Sequence, residues 1–267
     1  MTIKLIDSHC HLPHNETALK EWLESAAQEG VEKFITIGTS LEDNKKCIQI
    51  AEENSKVYTT TGIYPHEDLN ISIGDLRHKL QKQLNSSKKI VGIGECGIDI
   101  TDWHGGRDIQ DQIKVFEMQI KLALENNLPL VLHNRNGDEQ VIAALTKHSL
   151  LQINLHKLKG VAHCFASSWE TAQKLLSLGF YISFSGLITY PSRKELLETV
   201  QKVPLDKFVL ETDSPYLPPQ GFRGTGKKNQ PKYVRMIAQK VAEIKELPFE
   251  LICSNSYQNT RKIFNLN

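Results

Sequence analysis

Short apolar, β-branched runs recur along this chain, separated by longer stretches in which apolar residues return every three or four positions. The runs fall at residues 3–6, 33–37, 57–61, 90–93, 129–132, 160–162, 181–184 and 208–210, lengths that suit buried strands. Segments 18–29, 42–54, 112–126, 169–178 and 194–200 have helical spacing between them, and two more, 232–245 and 249–264, close the chain. Strands alternating with helices mean repeated βαβ units and a parallel sheet covered by helices. Eight units predict an α/β fold closed into a (β/α)8 barrel, whose active site lies at the C-terminal ends of the strands. An open doubly wound sheet is the competing architecture, but the Gly-rich turn it needs after the first strand is replaced by Asp7-Ser8-His9-Cys10-His11. No Pro-, Gly- or Ser-rich linker divides the chain, so residues 1–267 read as one domain. The Pro/Gly-rich stretch 215–231 is long for a strand-to-helix loop, a length more often functional than connective.

The expected strand exits are rich in metal-ligand chemistry. The first ends in Asp7-x-His9-x-His11, the fourth in Glu95, the fifth in His133, the sixth in His163 and the eighth in Glu211-x-Asp213. Alternation along an extended segment puts His9 and His11 on one face. Barrel closure brings the eighth strand beside the first, so Asp213 joins that pair. Strands four to six are neighbours, which groups Glu95, His133 and His163, with two carboxylate oxygens on Glu95 to bridge two ions. A single histidine is usually an ordinary core or surface group. Six ligand-type residues at five strand exits are not, because a barrel interior does not bury unpaired imidazoles and carboxylates. His14, His78, His104, His148 and His156 read as solvated residues of loops or helix faces, and His66 as either a substrate contact or a loop cap. Cys10, Cys96 and Cys164 each adjoin a proposed ligand and read as small core residues.

Composition narrows the class. With 40% hydrophobic and 24% charged residues the chain resembles an ordinary folded protein. The apolar start is too short for a signal or membrane segment, and five scattered cysteines without a CxxC argue against a disulfide framework; a cytoplasmic protein is expected. A net charge of +1 excludes the global basic field of non-specific DNA binders. Any contact with a polyanion is therefore local, and the uneven region is 223–245, where Arg223, Lys227, Lys228, Lys232, Arg235, Lys240 and Lys245 face only Glu243.

Taken with Gly94-Glu95-Cys96-Gly97-Ile98-Asp99, Leu132-His133-x-Arg135, His163-Cys164-Phe165, Tyr181-Ile182-Ser183-Phe184-Ser185-Gly186 and Glu211-Thr212-Asp213-Ser214-Pro215-Tyr216-Leu217, the first-strand motif resembles the TatD family of metal-dependent deoxyribonucleases, within the amidohydrolase-like barrels. The resemblance covers essentially the whole chain. It implies metal ligation by His9, His11, Glu95, His133, His163 and Asp213, the residues the strand argument selects. It also implies hydrolysis of DNA, often as a 3′-to-5′ exonuclease on single strands, by a water activated between two divalent ions (zinc, magnesium or manganese), with Asp213 and Glu95 as the catalytic carboxylates. No membrane or obligate protein partner is expected. Arg135 and Arg223 are candidate phosphate contacts because guanidinium offers a bidentate fork. The chain departs from the family pattern at Tyr64, usually histidine, at Ile100, usually aromatic, and at Asn134 and Asn136, usually Ser and Asp; the stretch 101–108, with Trp103 and His104, is also atypical. The competing functional readings are an ester or amide hydrolase on the same barrel, such as an aminoacyl-tRNA deacylase or a small-molecule amidohydrolase, and a non-catalytic binding platform.

Overall fold

The computed structural model describes residues 3–101, 104–150 and 156–266; Trp103 lies outside the described residues. Eight parallel strands form one sheet in sequence order: β1 (Leu5–Cys10), β2 (Val31–Ile37), β3 (Val57–Thr61), β4 (Ile90–Asp99), β5 (Leu130–Arg135), β6 (Gly160–Ala162), β7 (Phe180–Phe184) and β8 (Phe208–Leu210). The helices that alternate with them are α1 (Glu16–Gln28), α2 (Leu41–Glu53), α3 (Ile73–Leu84), α4 (Ile109–Asn126), α5 (Asp138–Ser149), α6 (Trp169–Ser177), α7 (Lys194–Lys202), α8 (Val234–Lys245) and α9 (Phe249–Phe264). This is the expected TIM barrel. Five helices start on a side-chain cap, Asn15, Ser40, Ser72, Asp108 or Ser168, each accepting from the backbone N–H three residues on.

The core divides into two shells drawn from alternate strand residues. Leu5, Leu130, Leu132, Phe180, Ile182, Phe208 and Leu210 pack outward with the helices. Their neighbours Ile6, Val131, Val161, Tyr181 and Val209 point inward, where Ile263 and Phe264 at the end of α9 join them. Continuing the inward series towards the C-terminal ends replaces apolar residues by polar ones: Val131 is followed by His133, Val161 by His163, and Val209 by Glu211 and Asp213. On β1 the register with β2 slips between Asp7 and Cys10, the kind of irregularity that re-aims side chains.

Closure between β8 and β1 is made at the mouth. The Asp213 N–H donates to the His9 carbonyl at 2.9 Å and the His11 N–H to the Ser214 carbonyl at 2.7 Å. Below them the buried Asp7 carboxylate accepts from the Thr212 N–H at 2.9 Å and its hydroxyl at 2.5 Å. Asp7 is therefore a closure residue, although the sequence places it in a metal-ligand motif.

Two strands run past their expected ends. β4 continues beyond residue 93 to Asp99, and β5 beyond residue 132 to Arg135, so Glu95 and His133 lie within strands rather than after them. α3 and α5 were not among the expected helices. His148 on α5 is buried, 1% exposed, with Nε2 3.6 Å from Glu117 Oε2, which corrects the solvated reading of that residue.

Candidate metal centre

Closing the barrel converges six side chains from five strand ends. Nε2 of His9 and of His11 lie 3.6 and 3.5 Å from Asp213 Oδ1. Glu95 reaches in from the opposite wall: Oε2 is 3.6 Å from His9 Nε2 and 3.9 Å from His11 Nε2, while Oε1 is 2.8 Å from His133 Nδ1 and 3.0 Å from His163 Nε2. One carboxylate thus faces both histidine pairs. The His9 and His163 rings stack at 3.9 Å.

Two sets of ligand atoms lie close enough to share an ion: His9, His11 and Asp213, as expected, and His9, Glu95 and His163. The second differs from the expected Glu95, His133 and His163, because the stacked rings bring His9 into it; His133 flanks it, 3.2 Å from His163 Nε2. The donor set suits a cation on the structure's own terms. His9 is fully buried, yet neither of its ring nitrogens has a hydrogen-bond partner, an arrangement that is costly unless a ligand completes it.

The members of this set shift one another's charge states. Burial alone would favour neutral acids, but His163, His133 and His9 hold Glu95 well below the usual carboxylate range, and His11, His9 and His163 hold Asp213 below it. Burial, reinforced by His163, pushes His9 down towards the neutral imidazole that can ligate. His163 moves the other way: against its burial, Glu95 and Glu211 raise it well above the ordinary histidine value.

Around these ligands stands a ring of groups that orient them. Asp99 Oδ2 lies 3.1 Å from His133 Nε2 and accepts from the Tyr64 hydroxyl at 2.6 Å. Glu211 is buried and accepts from the Cys164 N–H at 2.6 Å and the Ser183 hydroxyl at 2.5 Å, with Oε1 3.4 Å from His163 Nδ1. Sequence reasoning assigned none of the three residues Asp99, Tyr64 and Glu211 a role. Alternation along a longer β4 would have put Asp99 on the face of Glu95.

A curated sequence profile described as "TatD related DNase" matches residues 6–265. The chain belongs to that family. TatD relatives match it along its length: the Bacillus subtilis protein named "Uncharacterized metal-dependent hydrolase YabD" is 35% identical over 98% of this chain and 100% of its own. The Escherichia fergusonii "3'-5' ssDNA/RNA exonuclease TatD" is 28% identical over 89% of each chain. The crystal structure of the TatD homologue YjjV from Escherichia coli superposes with a TM-score of 0.89 at 29% identity and full coverage of both chains. The protein is accordingly a metal-dependent hydrolase with two buried metal-site clusters. Among the described residues, no helix is long and apolar enough to cross a membrane.

The remaining candidates stand at the rim. Arg135 ends β5, exposed and without a carboxylate partner among the described residues. Arg223 is exposed in the loop after β8, its guanidinium 4.7 Å over the Tyr190 ring. Both ring nitrogens of His66 are engaged by backbone: Nδ1 accepts from the Arg107 N–H at 3.2 Å, and Nε2 donates to the Asp99 carbonyl at 3.2 Å. Cys10 and Cys96 are buried as expected, whereas Cys164 is half-buried at φ 44°, its sulfur 3.1 Å from the Ser185 hydroxyl. A third group, His14, Asp43 and Cys47, lies outside this centre. Its Asp43 accepts from the Thr39 N–H, and its Cys47 thiol donates to the Ile37 carbonyl.

Proposed function

We propose that this chain hydrolyses phosphodiester bonds of single-stranded DNA, removing nucleotides from the 3′ end. The observation that carries the reading is the convergence of His9, His11, Glu95, His133, His163 and Asp213 at the mouth, with the His9 nitrogens buried and without a hydrogen-bond partner. Membership of a family described by its DNase activity supports the bond cleaved, and the name of the Escherichia fergusonii relative supports the polymer and the direction.

Two divalent ions, zinc, magnesium or manganese, would suit the donor set: His9, His11 and Asp213 could hold one, and His9, Glu95 and His163, flanked by His133, the other. Bound there, they would lower the pKa of a water and neutralise charge on the phosphate oxygens.

The chain's own groups supply the rest. Asp213 presents an ionised carboxylate at the mouth, close to His9 and His11, and serves as the general base that takes the proton of the attacking water. Glu95 keeps the two histidine pairs in register through its two oxygens. Asp99 and Glu211 fix the ring orientation of His133 and His163. Arg135, unpaired at the rim, and Arg223, held flat by Tyr190, contact the phosphates of the strand. His66 contributes its ring face only, since its nitrogens hold loop backbone.

The test is a 5′-labelled single strand offered with a free 3′ end or with a 3′-terminal phosphorothioate linkage. Stepwise shortening of the free strand and arrest on the protected one are expected. Release of an amino acid from aminoacyl-tRNA without nucleotide loss would transfer the site to ester or amide chemistry.

A further inference from the structure

Several surface cations elsewhere meet a carboxylate. Lys4 meets Glu32, Arg77 meets Glu125, Lys147 meets Glu117 and Lys202 meets Glu198, all within 2.9 Å. The loop between β8 and α8 instead gathers its cations in a stretch free of acids. From Ser214 to Ala242 the sequence contains no acidic residue. Arg223, Lys227, Lys228 and Lys232 have no carboxylate partner among the described residues, while Arg235 and Lys240 further along pair with Glu29 and Glu243. Three of the four unpaired cations rest on aromatic rings instead: Arg223 on Tyr190 at 4.7 Å, Lys227 on Phe222 at 5.7 Å and Lys232 on Tyr233 at 5.5 Å.

This loop is built rather than loose. Buried Asn229 donates from Nδ2 to the carbonyls of Thr212 at 2.6 Å and Tyr216 at 2.5 Å, tying the far end of the loop to its beginning. The Gln220 N–H donates to the Thr189 hydroxyl at 2.9 Å, and the Phe222 and Tyr233 rings stack at 4.4 Å. The loop starts at the metal centre. Tyr216 is 60% exposed, and its ring lies 5.6 Å from that of His11.

Unpaired cations beside an open aromatic ring are the two components of a single-strand binding groove: charge for the phosphates and a ring face for a base. A protein of net charge +1 gains no such attraction from its overall field, so any complementarity comes from local groups such as these. We propose that the β8–α8 loop is a track for single-stranded nucleic acid, in which Tyr216 stacks on a base next to the reacting end and Lys227 and Lys228 hold phosphates further along. The inference rests on the nuclease reading of the metal centre and adds to it a second, non-catalytic contact region of defined position.

The experiment measures binding and cleavage on the same molecules. Phosphorothioate oligothymidylates of two, four, eight and twelve nucleotides are titrated into the metal-loaded protein at several salt concentrations, and the matching unmodified strands are assayed for nucleotide release. The track requires affinity that rises with length beyond the dinucleotide. For single strands the salt slope is about 0.7 per phosphate neutralised, so Lys227→Gln/Lys228→Gln should flatten the slope by roughly 1.4. Loss of base stacking in Tyr216→Ala should weaken binding about tenfold or more at every length. Affinity indifferent to length, or a slope unchanged in the double variant, would overturn the track. If nucleotides are released while binding shows neither signature, the track falls and the nuclease stands. Length-dependent binding without nucleotide release leaves the track and removes the nuclease.

Discussion

The Nε2 atom of His133 stands 3.1 Å from Oδ2 of Asp99, and Nδ1 of the same ring stands 2.8 Å from Glu95. The imidazole is held between a carboxylate that faces the metal centre and one that does not, which fixes both its orientation and its basicity. Asp99→Asn weakens that hold without removing a ligand. Metal affinity should fall roughly 10- to 100-fold, as outer carboxylates commonly contribute. Calorimetric titration of metal-stripped protein checks this, and an unchanged affinity would show that His133 needs no such support. Tyr64→Phe, which removes the hydroxyl that lies 2.6 Å from Asp99 and 3.4 Å from His133 Nε2, should have a smaller effect in the same direction.

Asp213 has φ 56°, in the left-handed region that asparagine and aspartate tolerate best. Asp213→Asn therefore preserves the backbone while removing the base. Turnover should fall by about 10²- to 10⁴-fold, the usual contribution of a positioned base, with the thermal midpoint little changed. Retained turnover would refute its role.

Gly97 sits where β4 passes closest to β5. Its φ is 148°, and a Cβ there would lie 1.9 Å from the His133 carbonyl oxygen. Gly97→Ala must push the two strands apart at a ligand, and should cost about 3 kcal/mol or more, within the range of severe single substitutions. Denaturant unfolding measures it; a loss below about 1 kcal/mol would mean the strands can separate without disturbing the barrel.

His148 gives a pH dependence away from the centre. Burial lowers its pKa in the folded chain, with Glu117 opposing. A histidine whose folded pKa lies below its unfolded value stabilises fully above the unfolded value, near 6.5, and loses that contribution as pH falls through the folded value. Its ring nitrogens have no hydrogen-bond partner, so His148→Leu should keep its stability at pH 7.5. On acidification from pH 7 to 5, in metal-loaded protein, the thermal midpoint should fall less in the variant than in the parent. Parallel curves would exclude His148 as the titrating group.

The barrel was legible because strand and helix periodicities differ strongly and repeat eight times. Helices α3 and α5 were harder to read: α3 buries only Leu76 and Leu80, and α5 starts at Gly137 without a side-chain cap. His133, His163 and Asp213 were legible because they continue the inward-facing series of their strands, whereas His9, His11 and Glu95 follow register shifts on β1 and β4 and were legible by their residue type at a strand exit. What lay beyond periodicity was the second ring of contacts. Asp99 and Glu211 are placed by the length of β4 and by the closeness of β6, β7 and β8 at the mouth, distances no single-strand pattern encodes. The buried state of His148 was hidden for a related reason, since it depends on how α5 packs against α4.

The central claim is that ions held at the His9, Glu95 and Asp213 crossing cleave the phosphodiester. The most direct measurement strips the protein of metal and then titrates manganese back, following bound ion and mononucleotide release from single-stranded DNA in the same samples. The account predicts no release from stripped protein and recovery that saturates as the second ion per chain binds. Release that persists after stripping, or two ions bound with no release under any condition, would contradict it.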